Sequence, residues 1–308
     1  MGDAQRQITL GQQLFNNKHL SRDSTVSCAS CHNPAKAFTD GLPVAIGVDH
    51  QSGTRNTPSL ASLTASGETS FFWDGRRASL EQAVLDPLTN PVEMGLSNQA
   101  QLTERLRAAT SVNGKNLGIR TPDQAAAALA AYLRSIEQPP SDYDRFRSGR
   151  DPHALSPRAQ EGLALFAGKA RCAQCHSLQG TPATLTDNSF HRTGVGIDGV
   201  EDKLPQLTTE VMAQSLSGSA LGNQIALHRD EAQLGRFNVT HDVADIETFR
   251  TPSLRAVALT APYMHDGSVK TLDEALDREV YYRGLNAGRP LNLSVEERKD
   301  MLAFLQAL

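Results

Sequence analysis

A mainly α-helical fold of two related domains with long loops is what the sequence predicts. Three observations carry that expectation. Leucine- and alanine-rich segments recur with few β-branched runs, which favours helix. The length, 308 residues, suffices for a sizeable core and about two domains. Two pentapeptides, Cys28-Ala29-Ser30-Cys31-His32 and Cys172-Ala173-Gln174-Cys175-His176, sit one in each half.

Taken in order, residues 5–16 form a short helix with Ile8, Leu10, Leu14 and Phe15 on its apolar side. Residues 33–70 are rich in Pro, Gly, Thr and Ser and read as loop. Ser79-Leu80-Glu81-Gln82 has capping-box spacing and opens a helix to about Val84. Asp86-Pro87 and Asn90-Pro91 break the chain before Val92-Glu93-Met94, and 99–109 is the next helical stretch. Thr121-Pro122 opens a helix with a hydroxyl cap and proline in the first turn, and Leu129, Tyr132, Leu133 and Ile136 share its face. Residues 139–157 read as a linker, so the expected domains are 1–145 and 146–308. Ser156-Pro157 starts a helix that Gly168 ends. Residues 177–250 read as long loops with short helices, and Ser294-Val295-Glu296-Glu297 caps a C-terminal helix presenting Met301, Leu305 and Leu308.

The net charge of −4 is small and no Lys/Arg run stands out, which speaks against a nucleic-acid partner. No apolar run reaches the roughly 18 residues of a membrane span. The opening Met-Gly-Asp-Ala-Gln has no leader core, although a removed leader would look the same.

All four cysteines fall in the two pentapeptides. Cys-x-x-Cys-His is the spacing of c-type haem attachment: two thiols bond the haem edge, and the adjacent histidine ligates iron. The alternatives are a disulfide, a thioredoxin-like dithiol or zinc. A dithiol does not require the histidine, and zinc would have to pool ligands from both distant motifs. Two covalent c-type haems are therefore expected, held by Cys28, Cys31 and His32 and by Cys172, Cys175 and His176. Bacterial attachment of such haems occurs outside the cytoplasm, so a periplasmic location is expected.

An internal repeat links the halves. Arg55-Asn56-Thr57-Pro58-Ser59-Leu60 echoes Phe249-Arg250-Thr251-Pro252-Ser253-Leu254. Phe72-Trp73-Asp74-Gly75 echoes Met264-His265-Asp266-Gly267, and Ser79-Leu80-Glu81-Gln82-Ala83-Val84 echoes Thr271-Leu272-Asp273-Glu274-Ala275-Leu276. The simplest account is two cytochrome-c-like domains with one haem each, placing Trp73, the sole tryptophan, opposite His265.

These motifs, with Arg76, Val92-Glu93-Met94 and Ala261-Pro262-Tyr263-Met264-His265, resemble the bacterial dihaem cytochrome c peroxidase and MauG superfamily over nearly the whole chain. The resemblance implies a peroxide-reactive haem in the N-terminal domain and a low-spin haem in the C-terminal one, with Trp73 between them as electron relay. It implies Glu93 as acid/base residue. It also implies a calcium ion on the Asn56 side chain and the Thr260 and Pro262 carbonyls, oxygen donors that suit Ca²⁺.

Two departures from that pattern bear on function. In many peroxidases of the family a loop histidine caps the peroxidatic iron. The matching place here is Val48, with His50 two residues on, so His50 is read as an exposed loop residue and the first haem as open. The distal methionine of those peroxidases is also missing, since none lies between Met264 and Met301. MauG-like members use tyrosine there, and Tyr281, with Tyr282 second, is the expected ligand, although both fall about two residues late. The expected function is MauG-like: hydrogen peroxide oxidises an aromatic side chain, Trp in the known cases, of a partner protein through both haems. The rivals are a cytochrome c peroxidase fed by a small redox protein, and a non-enzymatic dihaem electron-transfer or sensing protein.

Overall fold

The computed structural model describes residues 2–109, 111–112, 115–116, 119–217, 221–286 and 288–308. Its helices include α1 (Asp3–Phe15), α2 (Leu80–Ala83), α3 (Gln99–Ala109), α4 (Pro122–Arg134), α5 (Asp142–Arg147), α6 (Pro157–Ala167), α7 (Leu204–Leu216), α8 (Leu221–Leu227), α9 (Leu272–Asn286) and α10 (Val295–Leu305). Strand structure among the described residues is slight. Ser111–Val112 pairs antiparallel with Lys115–Asn116, and Phe190–Arg192 pairs antiparallel with Thr248–Arg250 in the register Phe190 to Arg250. None of the described helices is long and apolar enough to cross a membrane.

The caps read from sequence form. Thr121 accepts from the Gln124 amide, Ser156 from Ala159, and Ser294 makes a reciprocal box with Glu297. Ser79 accepts from the Gln82 amide, but the Gln82 side chain turns back to the Ala78 amide instead of closing the box.

Two helix crossings hold the two main cores. In the first, α1 lies on α4, with Leu14, Phe15, Leu129 and Leu133 buried. In the second, α6 lies on α10, with Phe166, Met301 and Phe304 buried. Each crossing has a glycine at its closest point. A Cβ on Gly11 would stand 1.9 Å from the Ala128 carbonyl oxygen, and one on Gly162 would stand 2.0 Å from that of Asp300. Four residues after each glycine a phenylalanine stacks edge-on across the crossing, Phe15 on Tyr132 and Phe166 on Phe304, both at 5.2 Å. Backbone cannot retreat as a flexible side chain can. Gly162→Ala is therefore expected to cost about 3 kcal/mol by overpacking, read as a lowered Tm.

The first core draws on residues from Leu10 to Ile136 and the second on residues from Tyr143 to Leu308. Tyr143 thus packs into the second core, although the expected boundary fell at residue 145. The 139–157 segment, expected as linker, carries α5. Tyr143 is buried edge-on against Phe304, and Asp144 holds the buried Arg255 through two hydrogen bonds of 2.9 Å. A second correction concerns 177–250. This stretch contains the thirteen-residue α7, and Val200, Leu207, Val211, Leu234 and Phe237 build a third small core. Proline, glycine and polar residues hid both elements, because each is stabilised by a few anchors placed against distant parts of the chain.

Candidate functional site

Each Cys-x-x-Cys-His motif opens on a cavity, of about 200 Å³ beside His32 and about 240 Å³ beside His176. The two histidines are held alike. His32 Nδ1 lies 3.0 Å from the Phe38 carbonyl oxygen, and His176 Nδ1 lies 3.1 Å from that of Leu185. A carbonyl only accepts, so the proton sits on Nδ1 and Nε2 keeps the lone pair. Both carbonyl-bearing residues have left-handed backbone, φ 59° at Phe38 and φ 55° at Leu185. The loops are pinned by serines of the two Thr-Pro-Ser segments, Ser59 Oγ donating to Ala37 O and Ser253 Oγ to Thr184 O. Burial lowers both imidazoles, His176 to about 4, which keeps them neutral and able to ligate a metal.

The thiols do not suit the rival chemistries. All four cysteines are free. A redox dithiol needs a stabilised thiolate, whereas burial pushes Cys28, Cys31 and Cys172 up to about 12. Among the described residues no candidate metal cluster draws on both motifs; the one such group is Cys175, Asp187 and His191.

The residues around both cavities suit a haem, and buried guanidinium groups on their walls are the observation that bears on it. Arg55 and Arg76 line the first, Arg283 the second, and Arg250 both. Each carries a buried N–H without a hydrogen-bond partner: Arg55 Nε and Nη1, Arg76 Nε, Arg250 Nη1 and Arg283 Nε. Arg76 Nη1 donates to both Asp74 carboxylate oxygens at 3.0 and 3.1 Å, Arg250 stands 3.3 Å from Glu68 and Arg283 3.4 Å from Glu279, so part of their charge is answered. The remaining donors call for an anion in the cavity, and a haem brings two carboxylates. Sequence reading placed Arg55, Arg76 and Arg250 in its motifs but gave them no role, since a motif does not show which side chains meet in a cavity.

Glu93 lines the His32 cavity. Asn90 fixes it twice over: its Nδ2 donates to Glu93 Oε1 at 2.7 Å, and its carbonyl accepts from the Glu93 amide at 3.2 Å. Burial raises the Glu93 carboxyl above its ordinary 4.5, although Arg76 pulls the other way. The loop of residues 47–50 lies on this segment, with the Val48 amide donating to Glu93 O at 2.9 Å. Val48 is fully buried, and His50 is exposed and off the cavity wall.

Trp73 lines both cavities. Its Nε1 donates to the Asn56 carbonyl at 2.9 Å. A matched pair of backbone bonds ties the surrounding segments together. The Asn56 amide donates to His265 O and the Arg250 amide to Trp73 O, both at 2.8 Å. His265 itself is buried, stacked on Phe249 at 3.7 Å, with Nε2 against Gln233 Oε1 at 2.7 Å.

Asn56, Thr260 and Pro262 each line the His176 cavity. Asn56 Nδ2 donates to Leu42 O at 2.9 Å, so its side-chain oxygen is the end left for another partner.

The structure does not bring Tyr281 to the cavity, which corrects its expected place on iron. Its side chain is 61% exposed and packs on Tyr282 at 5.2 Å. The reason is helical phase. Leu272, Ala275, Leu276, Glu279, Val280 and Arg283 of α9 line the cavity, and Tyr281 turns away from that stripe. Tyr282 packs where any side chain on Gly194 would stand, and it too is off the wall.

Comparison with known proteins agrees with this geometry. Residues 5–152 match the sequence profile of the di-haem cytochrome c peroxidase family. The chain is 34% identical over 310 residues to cytochrome-c peroxidase IdrP2 of Denitromonas iodatirespirans, covering 98% of this chain and 81% of that one. It is equally 34% identical over 314 residues to the methylamine utilization protein MauG of Methylorubrum extorquens, covering 98% and 77%. The crystal structure of a MauG-like protein associated with microbial copper homeostasis superposes with a TM-score of 0.73 at 31% identity, covering 100% of this chain and 90% of that one. The chain belongs to the dihaem cytochrome c peroxidase and MauG superfamily of peroxide-dependent oxidoreductases.

Proposed function

We propose that this protein uses hydrogen peroxide to oxidise an aromatic side chain, Trp above all, of a partner protein, with its two haem sites acting as one oxidising unit. The observation that carries the reading is Trp73, whose ring borders both cavities while its N–H is pinned to Asn56. An oxidisable indole held in a shared wall suits charge exchange between two centres. When bound, the haems supply iron that reacts with peroxide and stores its two oxidising equivalents. The protein's own share is proton and charge management. Glu93 takes a proton from the inner peroxide oxygen and returns it to the outer one, work suited to a buried carboxyl that Asn90 holds in place. Cys28, Cys31, Cys172 and Cys175 anchor the haems, and His32 and His176 offer neutral Nε2 to iron.

The position of His50 supports an open first site that needs no uncapping. On this reading the chain comprises two cytochrome-c-like units, and a Ca²⁺ ion lies on Asn56, Thr260 and Pro262 between them. Haem attachment by thioether bonds supports a periplasmic setting.

The second reading is a cytochrome c peroxidase drawing electrons from a small redox protein, and the equal identity to IdrP2 and MauG favours it as the rival. A purely electron-carrying role fits poorly with Glu93 placed in an open cavity. The discriminating experiment is mass spectrometry of co-expressed neighbouring proteins before and after peroxide. Oxidised Trp in a partner is the expected result. Rapid peroxide turnover with reduced cytochrome c, and no modified partner, would instead establish the peroxidase.

A further inference from the structure

Four positions of the wall that α9 gives to the His176 cavity have counterparts in the His32 cavity, and the last of the four differs in chemistry. Thr271 and Ser79 each accept from the amide three residues on, which sets a common register for α9 and for the segment running from α2. Leu272, Ala275, Leu276 and Glu279 follow Thr271 onto the wall of one cavity. At the same offsets, Leu80, Ala83, Val84 and Pro87 follow Ser79 onto the wall of the other. The first three positions are apolar in both. The fourth is a proline ring with no donor atom beside His32, and a carboxylate beside His176.

Glu279 lines the His176 cavity, with its side chain 38% exposed. Its Oε2 lies 3.4 Å from Arg283 Nε, one helical turn on, in a contact that falls short of a hydrogen bond. It lines the cavity of the Cys172 motif, as Glu93 lines that of the Cys28 motif. Among the competing donors on the wall, Tyr263 Oη donates to Val257 O at 3.0 Å, and the Met264 thioether stands as the remaining rival. His265 Nε2 meets Gln233, His191 Nε2 meets Asp187 at 2.7 Å, and Met301 is fully buried in the α6–α10 core.

We propose that Glu279 supplies the second axial donor, an anionic oxygen, to the haem held by Cys172, Cys175 and His176, while Pro87 leaves the other haem without one. The proposal rests on the two-haem reading and replaces Tyr281 as ligand. A carboxylate oxygen is hard and charged, so it favours the ferric over the ferrous state. One haem is thereby held oxidised, and the other is left open to peroxide.

The test uses the diferric holoprotein and the variants Glu279→Gln, Glu279→Met and Tyr281→Phe. Intact mass is measured first, since fewer than two covalent haems per chain would remove the underlying reading and not this ligand assignment alone. Electron paramagnetic resonance, absorption and spectroelectrochemical titration are then recorded. Glu279→Gln is expected to change the resonance and absorption of one haem and to lower its ferric/ferrous ratio at fixed potential at least tenfold, about 59 mV for one electron. Glu279→Met is expected to shift that haem further the same way, as a thioether ligand does. Tyr281→Phe is expected to leave both haems unchanged. An unaltered resonance and absorption in both Glu279 variants would overturn the proposal, even if the potential moved, because the carboxylate would then be only a charge beside the haem. A change on Tyr281→Phe would overturn it equally. The two Glu279 variants differ in polarity, so either one that folds and retains both haems suffices.

Discussion

Glu93→Gln is expected to slow the reaction with hydrogen peroxide by ~10²–10⁴-fold, the usual worth of a positioned general acid–base group. The substitution preserves shape and leaves an amide where Asn90 Nδ2 meets Glu93 Oε1 at 2.7 Å. What disappears is the capacity to hold a proton. The pH dependence gives the sign. Burial raises the carboxyl above 4.5, and taking a proton from peroxide requires the ionised form. Wild-type rates should therefore rise with pH through a value above the ordinary carboxylate one, and this limb should vanish in Glu93→Gln. Stability should run the opposite way. An acid whose folded pKa is raised loses its favourable contribution as pH rises through that pKa. The wild type should lose stability relative to the Gln variant over the same interval. Stopped-flow mixing with peroxide and thermal melts across pH measure both. A Gln variant that reacts at the wild-type rate would remove Glu93 from the chemistry.

Trp73→Phe should have the second large effect, and it should fall on a different step. Peroxide consumption at the His32 site is expected to continue, whereas oxidation of the protein partner should drop by ~100-fold or more, equivalent to about 2.7 kcal/mol of barrier. Phenylalanine is much harder to oxidise than an indole and lacks the N–H that meets Asn56 O at 2.9 Å. Loss of that hydrogen bond should cost about 1 kcal/mol of stability, so the variant should fold. Single-turnover spectroscopy with partner mass spectrometry separates the two steps. Undiminished partner oxidation would mean that charge passes between the sites by another route.

Much of the fold could be read from local chemistry. Thr121-Pro122, Ser156-Pro157 and the Ser294 box announce their helices because a cap acts over three or four residues. The α5 helix and the third core could not be read this way. Tyr143 and Asp144 look like linker residues until Phe304 and Arg255, far along the chain, are brought beside them. The candidate site divides similarly. Cys-x-x-Cys-His carries its own meaning, and the structure gives each histidine its carbonyl partner. Arg55, Arg76 and Arg250 stand in the repeat and family motifs, but their convergence on the cavity walls is visible only in three dimensions. Glu279 is an intermediate case. Counting eight residues from each capping hydroxyl would have put it on the wall, but tyrosine was sought as the donor type, and Tyr281 lies on the wrong face of α9.

The crossed pair of backbone bonds, Asn56 amide to His265 O and Arg250 amide to Trp73 O, has a consequence for how the enzyme matures. The indole gets its backbone anchor from a residue near position 250, a part of the chain synthesised long after Trp73 itself. A half-made or clipped molecule thus lacks the support that sets the ring in the shared wall. On the proposed function, the shared wall is complete only where the segment around position 250 is packed against Trp73.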